Sequence, residues 1–207
     1  MAKEVIPFAI IFIALSIIFY LLHIKILLFL SIFCLIFVFF FFRDPQRNII
    51  KDDKVFLSAA DGKIVEIKDE LINNIPYIRV SVFMSLFNVH INRIPANGVV
   101  ADVKHIKGSF PLAWQNYTKK VREHSFVKIN SEYGQYYIKQ VAGFIARRIV
   151  CNLKPSDKVR AGSKFGMIKF SSRLEHSIPM GYNILVKEGD NVKGGITILA
   201  RVEEAKI

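Results

Sequence analysis

A β-rich α+β domain, antiparallel and barrel- or hybrid-like, behind an N-terminal transmembrane or re-entrant helical hairpin is the fold class this sequence predicts. Three observations predict it. Two apolar runs near the start are almost free of charge, short alternating runs fill the chain after residue 42, and a turn-then-strand pattern occurs twice near the C-terminus.

Residues 6–22 and 26–42 are apolar runs of 17 residues each, parted by His23-Ile24-Lys25. At helical rise each reaches about 25 Å, slightly short of a roughly 30 Å hydrocarbon core. One continuous helix over both would be about 55 Å, too long to span at ordinary tilt. The expectation is therefore a hairpin over 1–42 that spans twice or dips in and out, followed by a second domain over 43–207. A cleaved signal peptide fits poorly, because the first run ends in Tyr-Leu-Leu-His without a small-residue cleavage site and a second run follows at once. Arg43, Arg47, Lys51 and Lys54 past the second run, with Lys3 at the other end, predict that the second domain lies on the cytoplasmic side.

Past Phe42 the texture changes. Runs rich in β-branched and aromatic residues recur at 55–57, 64–67, 78–83, 99–105, 126–129, 136–141, 166–170 and 183–186, separated by turn signals. Segment 115–123 is polar and turn-free, a loop or a short helix; 144–150, which contains Arg147-Arg148, reads as strand or helix alike. Asp157-Lys-Val159-Arg-Ala-Gly162 matches Asp190-Asn-Val192-Lys-Gly-Gly195 at a spacing of 33, each followed by an apolar strand. The glycine is free to take positive φ and close a turn. Lipoyl- and biotinyl-type barrels share this pattern, so a carrier barrel competes, although no lysine sits at the tip of a Met-Lys-Met-like hairpin. Gly162 holds the place of Gly195, so a turn explains the Gly162-Ser163 pair without chemistry.

The chain carries a formal net charge of +12, and 43–207 holds all but Lys3 and Lys25 of the 29 basic residues and all but Glu4 of the 17 acids. A basic domain beside a membrane segment favours anionic headgroups, at roughly 1 kcal/mol per basic side chain near the surface. Nucleic acid is not the expected partner, since no long Lys/Arg run or RNA-binding signature is present. Cys34 and Cys151 fall in different environments and no CxxC or His/Cys metal spacing exists, so both read as small buried apolar residues in a reducing compartment.

The most informative stretch is Phe165-Gly-Met-Ile-Lys-Phe-Ser171-Ser172-Arg173-Leu-Glu175-His-Ser-Ile-Pro179. An apolar strand runs into paired serines, then an arginine, an acid and a proline. A serine at such a joint can attack the carbonyl of the preceding residue, turning a peptide bond into an ester. Elimination then gives dehydroalanine, and hydrolysis leaves a pyruvoyl group at a new N-terminus. Two polar residues at a strand end are the plain alternative.

Further blocks point the same way: Phe42-Arg43-Asp44-Pro45, Ser58-Ala-Ala-Asp61-Gly62, Phe87-Asn-Val-His90-Ile-Asn-Arg93-Ile-Pro95-Ala-Asn-Gly98, and Val141-Ala-Gly143-Phe-Ile-Ala-Arg147-Arg148-Ile-Val. With them the part after the anchor resembles the short, membrane-bound phosphatidylserine decarboxylases, whose cleavage site usually reads Phe-Gly-Ser-Arg; Ser171 stands here in place of the glycine. The resemblance implies self-cleavage between Ser171 and Ser172, with Ser172 as precursor of a covalent pyruvoyl group that forms a Schiff base with substrate, and no metal. It selects His90 as the base for the Ser172 hydroxyl and Asp61 as the acid that orients it. Taken alone, His90 reads first as a packed strand histidine hydrogen-bonded to backbone, a reading the surrounding block reverses, and Asp61 before Gly62 is equally a type I′ turn residue. Arg147 and Arg148 would bind the phosphodiester or serine carboxylate, where planar bidentate donors are useful, or form a solvated pair beside acidic lipid.

The implied partners are phosphatidylserine, the membrane lipid surface, and the large and small chains of self-cleavage paired as a heterodimer at the cytoplasmic face of the cell membrane. Besides Ser171, two blocks differ from the family pattern: Ser-Pro-Ala-Asp-Gly becomes Ser58-Ala59-Ala60-Asp61-Gly62, and Asn-Glu-Arg becomes Val121-Arg122-Glu123. Longer members carry an additional histidine where Phe87 stands here. Of the other histidines, His23 reads as interfacial, His105 and His124 as surface or core fillers, and His176 lies close to the cleavage region. The other function class is a non-cleaving relative that acts as a membrane-anchored lipid- or partner-binding module.

Overall fold

In the computed structural model, residues 2–106, 123–143, 149–169 and 172–203 are described. The chain divides into two units, Met1–Gln46 and Arg47–Ile207. In the first, a 3-10 turn leads into α1 (Ile6–Leu21), and α2 (Lys25–Phe41) follows. Pro7 sits in the first turn of α1, where its missing N–H breaks no helical bond. His23 takes φ 56° between the helices. The two then lie side by side, with Ser16 Oγ 2.9 Å from Ser31 Oγ. Most of their apolar side chains, Phe29 and Phe33 among them, point outward and stay exposed, as expected of helices whose solvent is lipid rather than water. Among the described residues one helical stretch, Lys3–Leu21, is long and apolar enough to cross a membrane; Lys25–Phe41 is shorter.

The second unit is made of strands: β1 (Val55–Leu57), β2 (Gly62–Ile72), β3 (Ile75–Met84), β4 (Ile91–Arg93), β5 (Gly98–Ile106), β6 (His124–Ser131), β7 (Gly134–Ala142), β8 (Ile149–Cys151), β9 (Lys158–Val159), β10 (Lys164–Ile168), β11 (Ser172–Pro179), β12 (Tyr182–Ile184), β13 (Asn191–Val192) and β14 (Ile198–Val202). They form an eight-stranded sheet in the order β13-β2-β3-β11-β7-β6-β5-β9, and two three-stranded sheets, β4-β10-β8 and β1-β14-β12. The pairings are antiparallel. The β2–β3 hairpin turns at Asn73-Asn74, with φ 51° and 64°, the left-handed pair that a tight hairpin needs and asparagine tolerates.

The sequence repeat is a structural one. Lys154 N–H donates to Asp157 Oδ2 (2.8 Å) and Lys187 N–H to Asp190 Oδ2 (2.9 Å). Val100 N–H reaches the Asp157 carbonyl as Ile64 N–H reaches that of Asp190 (both 2.9 Å), and Gly162 N–H meets Ile94 as Gly195 N–H meets Ser58 (both 2.8 Å). The match extends to the preceding strands. Asp61 Oδ1 accepts from Gly194 N–H (2.7 Å), and Asn97 Oδ1 accepts from Ala161 N–H (2.7 Å). Gly162 and Gly195 both turn at positive φ, 76° and 75°. A Cβ on Gly162 would lie 2.4 Å from Ile49 Cγ2, and one on Gly195 3.0 Å from Ile49 Cδ1 and 3.6 Å from Gly162 Cα. These glycines follow the edge strands β9 and β13, so the two edges of the long sheet meet around Ile49 and the sheet curls into a barrel-like wall.

That wall encloses Phe56, Val80, Val82, Ile129, Ile138, Leu174 and Ile178, all buried. Phe56 packs edge-on against Tyr136, Tyr182 and His176, with centroids 5.1, 5.9 and 6.2 Å away. Tyr136 donates to the Ala96 carbonyl at 2.7 Å, which satisfies its hydroxyl. Burial pushes that phenol far above its ordinary range.

Candidate active site

Ser172 is the first residue of β11, the strand between β3 and β7. It sits opposite Met84 on one side and Ala142 on the other. Strand alternation turns Ser172, Leu174, His176 and Ile178 inward and Arg173, Glu175 and Ser177 to the other face. The Ser172 side chain is buried, and its Oγ donates to Met84 Sδ at 3.4 Å, a thioether being only a weak acceptor. Ser171, Arg147, Arg148 and most of 115–123 lie outside the described residues; of 144–150, the end forms β8.

His90 is fully buried just ahead of β4. A small turn fixes it: Asn88 Oδ1 accepts from both the N–H and the hydroxyl of Ser85 (each 2.8 Å), and Asn88 N–H returns to the Ser85 carbonyl (3.1 Å). The Asn88 carbonyl so held faces His90 Nδ1 at 2.9 Å. A carbonyl can only accept, so Nδ1 carries the proton and Nε2 keeps the lone pair, the tautomer a base requires.

Asp61 leads into β2. Neither Asp61 nor Gly62 takes positive φ, so they do not form a type I′ turn. Instead Asp61 Oδ2 accepts from Arg47 Nη2 at 2.7 Å and Oδ1 from Gly194 N–H at 2.7 Å. The Arg47 and Asp61 side chains are only 8% and 13% exposed, so this is a buried ion pair. Arg47, counted by sequence among the charges flanking the membrane segment, is thus part of the folded domain. Asn97 makes the same turn bond in the other copy of the repeat without a charge. The ion pair is what Asp61 adds.

Two residues that sequence reasoning passed over form a chain that reaches the Met84 sulfur that Ser172 also touches. Asn92 on β4 and Gln140 on β7 are fully buried, with Gln140 Nε2 donating to Asn92 Oδ1 at 2.8 Å. Asn92 Nδ2 in turn points at Met84 Sδ, 3.8 Å away. Asn92 stands inside the His90–Gly98 block, which was a signal; Gln140 had none.

His176 is a structural group. Its Nε2 accepts from Ala59 N–H (2.9 Å), and its Nδ1 must then donate to the Val80 carbonyl (3.0 Å). Complete burial pulls its pKa down to about 4, against the opposing pull of the Val80 carbonyl. Arg173 faces away from the site. It donates to Glu66 and to Ser81 Oγ (2.9 Å), while Arg79 reaches Glu66 and Glu70 at 3.3 Å each. Burial alone raises the Glu66 carboxyl, but Arg79, Arg173 and Lys68 together hold it below its usual range. Among the described residues no group of three or more His, Cys, Asp or Glu is placed to hold a metal.

The family model for phosphatidylserine decarboxylase matches residues 34–200. A phosphatidylserine decarboxylase proenzyme of Chlorobium chlorochromatii is 41% identical over 169 residues, covering 81% of this chain and 80% of that one. The proenzymes of Carboxydothermus hydrogenoformans and Wolbachia pipientis are each 38% identical, over 81% of this chain and 81% and 76% of theirs. A buried strand-end serine, a base-competent histidine and likeness along four-fifths of the chain agree: this protein belongs to the phosphatidylserine decarboxylase family.

Proposed function

We propose that the chain is a self-processing decarboxylase that converts phosphatidylserine to phosphatidylethanolamine, with Ser172 as the source of its pyruvoyl group. The single observation that carries this reading is the placement of Ser172: buried, at the first position of a central strand, its hydroxyl turned inward beside Met84.

His90 Nε2 takes the hydroxyl proton as Ser172 Oγ attacks the carbonyl carbon of Ser171. The C–N bond breaks, the nitrogen of residue 172 leaves protonated, and an ester joins the two residues. The Asn88 carbonyl, not Asp61, holds His90 Nδ1; Asp61, its oxygens bonded to Arg47 and Gly194, is proposed to steady the imidazolium only through space. Removal of the Cα proton of residue 172 expels the Ser171 carboxylate and leaves dehydroalanine. Water then hydrolyses its imine tautomer, releasing ammonia.

The surroundings fit a ketone at this position: Met84 and Ala142 flank it in the sheet and offer no competing charge. A pyruvoyl group held there would offer an electrophilic carbonyl to the substrate amine and a sink for the electron pair released with carbon dioxide. Arg147 and Arg148 are proposed to bind the phosphodiester or serine carboxylate. His90, returned to its neutral state after processing, is the candidate to hold and return the proton.

The segment 1–42 is the proposed membrane anchor, and the charges that follow it favour a cytoplasmic catalytic domain at the lipid surface. The two chains remain a heterodimer, because β11 on the small chain is hydrogen-bonded between β3 and β7 of the large one. Intact mass under denaturing conditions tests the reading. Cleavage yields pieces of 171 and 36 residues, the smaller lacking a free N-terminal amine. Ser172→Ala abolishes both cleavage and lipid turnover; turnover by an uncut Ser172→Ala protein refutes it.

A further inference from the structure

We propose that Gln140 and Asn92 form a positioning pair that keeps an amide N–H, rather than an amide oxygen, against the Met84–Ser172 edge of the site. This role serves the self-cleavage proposed above and rests on that reading.

A fixed acceptor starts the argument. Gln140 Nε2 lies 3.4 Å from the Val150 carbonyl on β8 as well as 2.8 Å from Asn92 Oδ1. A backbone carbonyl cannot donate, so the Gln140 amide must present its nitrogen on that side. Asn92 must then meet that nitrogen with its oxygen. Its own nitrogen is left facing Met84 Sδ at 3.8 Å, the same sulfur that Ser172 Oγ contacts at 3.4 Å. One backbone carbonyl thereby sets the polarity of two amides in series, ending in a donor that faces the sulfur in contact with the nucleophile.

The arrangement works against stability. Gln140 Oε1 is buried without a hydrogen-bond partner among the described residues. Ser125, directly opposite Gln140 on β6, has its Oγ in the same condition. Orphaned polar atoms in a core cost stability. An apolar residue at 140 would remove one, so a glutamine here points to a task other than packing. The task is electrostatic. Negative charge gathers beside Ser172 as its hydroxyl loses a proton and the acyl shift proceeds, and a preoriented N–H stabilises that charge where an amide oxygen would repel it.

The experiment follows processing of the full-length chain synthesised in the presence of lipid nanodiscs, comparing wild type with Asn92→Asp, Asn92→Leu, Gln140→Met and Asn92→Leu/Gln140→Met. Asn92→Asp keeps the oxygen that Gln140 needs but replaces the donor. Asn92→Asp and Asn92→Leu are each expected to slow cleavage about a hundredfold. Gln140→Met, which frees the orientation but spares the donor, slows it roughly tenfold. The double variant is no slower than Asn92→Leu, since Gln140 acts only through Asn92. Uncut Asn92→Leu protein that melts like wild type resists hydroxylamine, because no ester has formed; the retained melt separates this outcome from simple loss of packing.

Cleavage of Asn92→Asp within threefold of wild type, additive losses in the double variant, or hydroxylamine scission of Asn92→Leu between 171 and 172 would each overturn the proposal. If thermal melts show that neither Asn92 variant folds, Gln140→Met decides, and wild-type cleavage in it overturns the proposal. A wild-type chain that is never cut at 171/172 defeats the functional reading itself. A cut wild type with equally cut variants defeats only the pair.

Discussion

Exchange of Asp61 for asparagine separates two jobs that one side chain performs. The turn bond from Gly194 N–H needs only an oxygen, and Asn97 makes the equivalent bond to Ala161 at the same 2.7 Å. The bond to Arg47 needs charge. Asp61→Asn therefore keeps the turn and leaves the Arg47 guanidinium, 8% exposed, without its anion. Breaking a buried pair from one side costs about 3–5 kcal/mol, or a fall of roughly 6–20 °C in the melting temperature of a domain of this size. Circular dichroism melts of the full chain in detergent, made uncleavable by Ser172→Ala, provide the measurement. Adding Arg47→Met removes the stranded charge and recovers most of the loss. A melt for Asp61→Asn within 2 °C of its parent refutes the ion-pair argument.

The same variants test catalysis once Ser172 is restored. If Asp61 steadies the His90 imidazolium, Arg47→Met/Asp61→Asn stays at least a hundredfold slower in self-cleavage although its fold is recovered. Wild-type cleavage in that double variant removes Asp61 from the proposed mechanism and leaves it a structural residue.

Two further outcomes follow from burial and topology. His176 titrates near 4 when folded against an ordinary 6.5, so between those values the unfolded chain binds the extra proton. Its contribution is complete above 6.5 and lost as pH falls toward 4, roughly 3 kcal/mol in all. Melts at pH 7 and pH 5 should therefore differ more in wild type than in His176→Gln, and equal differences reject the assignment. Separately, the 36-residue small chain should co-elute with the large one in native size-exclusion chromatography and separate only in denaturant. Spontaneous separation would show that β11 does not hold the pair together.

What was legible in the sequence was whatever is local. Alternation located the strands because a half-buried sheet imposes a period of two, and the repeated acid-x-Val-x-x-Gly turn could be read because its six residues are contiguous and the acid's side chain closes a bond three residues back. Some local signals were still missed. Asn73-Asn74 marks a hairpin tip by its tolerance of positive φ, and its strands run on well beyond the stretches 64–67 and 78–83. The rest depends on contacts distant in sequence. Arg47 looked like one more juxtamembrane charge, since nothing near it announces Asp61 fourteen residues on. Gln140 reaches Asn92 across 48 residues, and a lone glutamine in a strand gives no sign of facing inward. His176 lies close to the cleavage region in sequence, yet its ring is occupied on both sides by backbone 96 and 117 residues away.

The proposed position of the cut also fits the topology. β10, ending at Ile168, belongs to the three-stranded sheet with β4 and β8, whereas β11, beginning at Ser172, belongs to the eight-stranded sheet. The chain passes from one sheet to the other between these residues, so each side of the joint is secured by its own ladder. On the upstream side β10 is paired to β4, the strand that carries Asn92 and follows His90. On the downstream side Ser172 is paired to Met84 and Ala142. Cleavage between two independently held ends costs little of either ladder, whereas a cut within one strand would sacrifice its pairings. It also fixes what remains. After the proposed cut, His90 and the Asn92 amide would stay with the large chain and the new N-terminus with the small one. The ladders, rather than the severed peptide bond, would keep them in register.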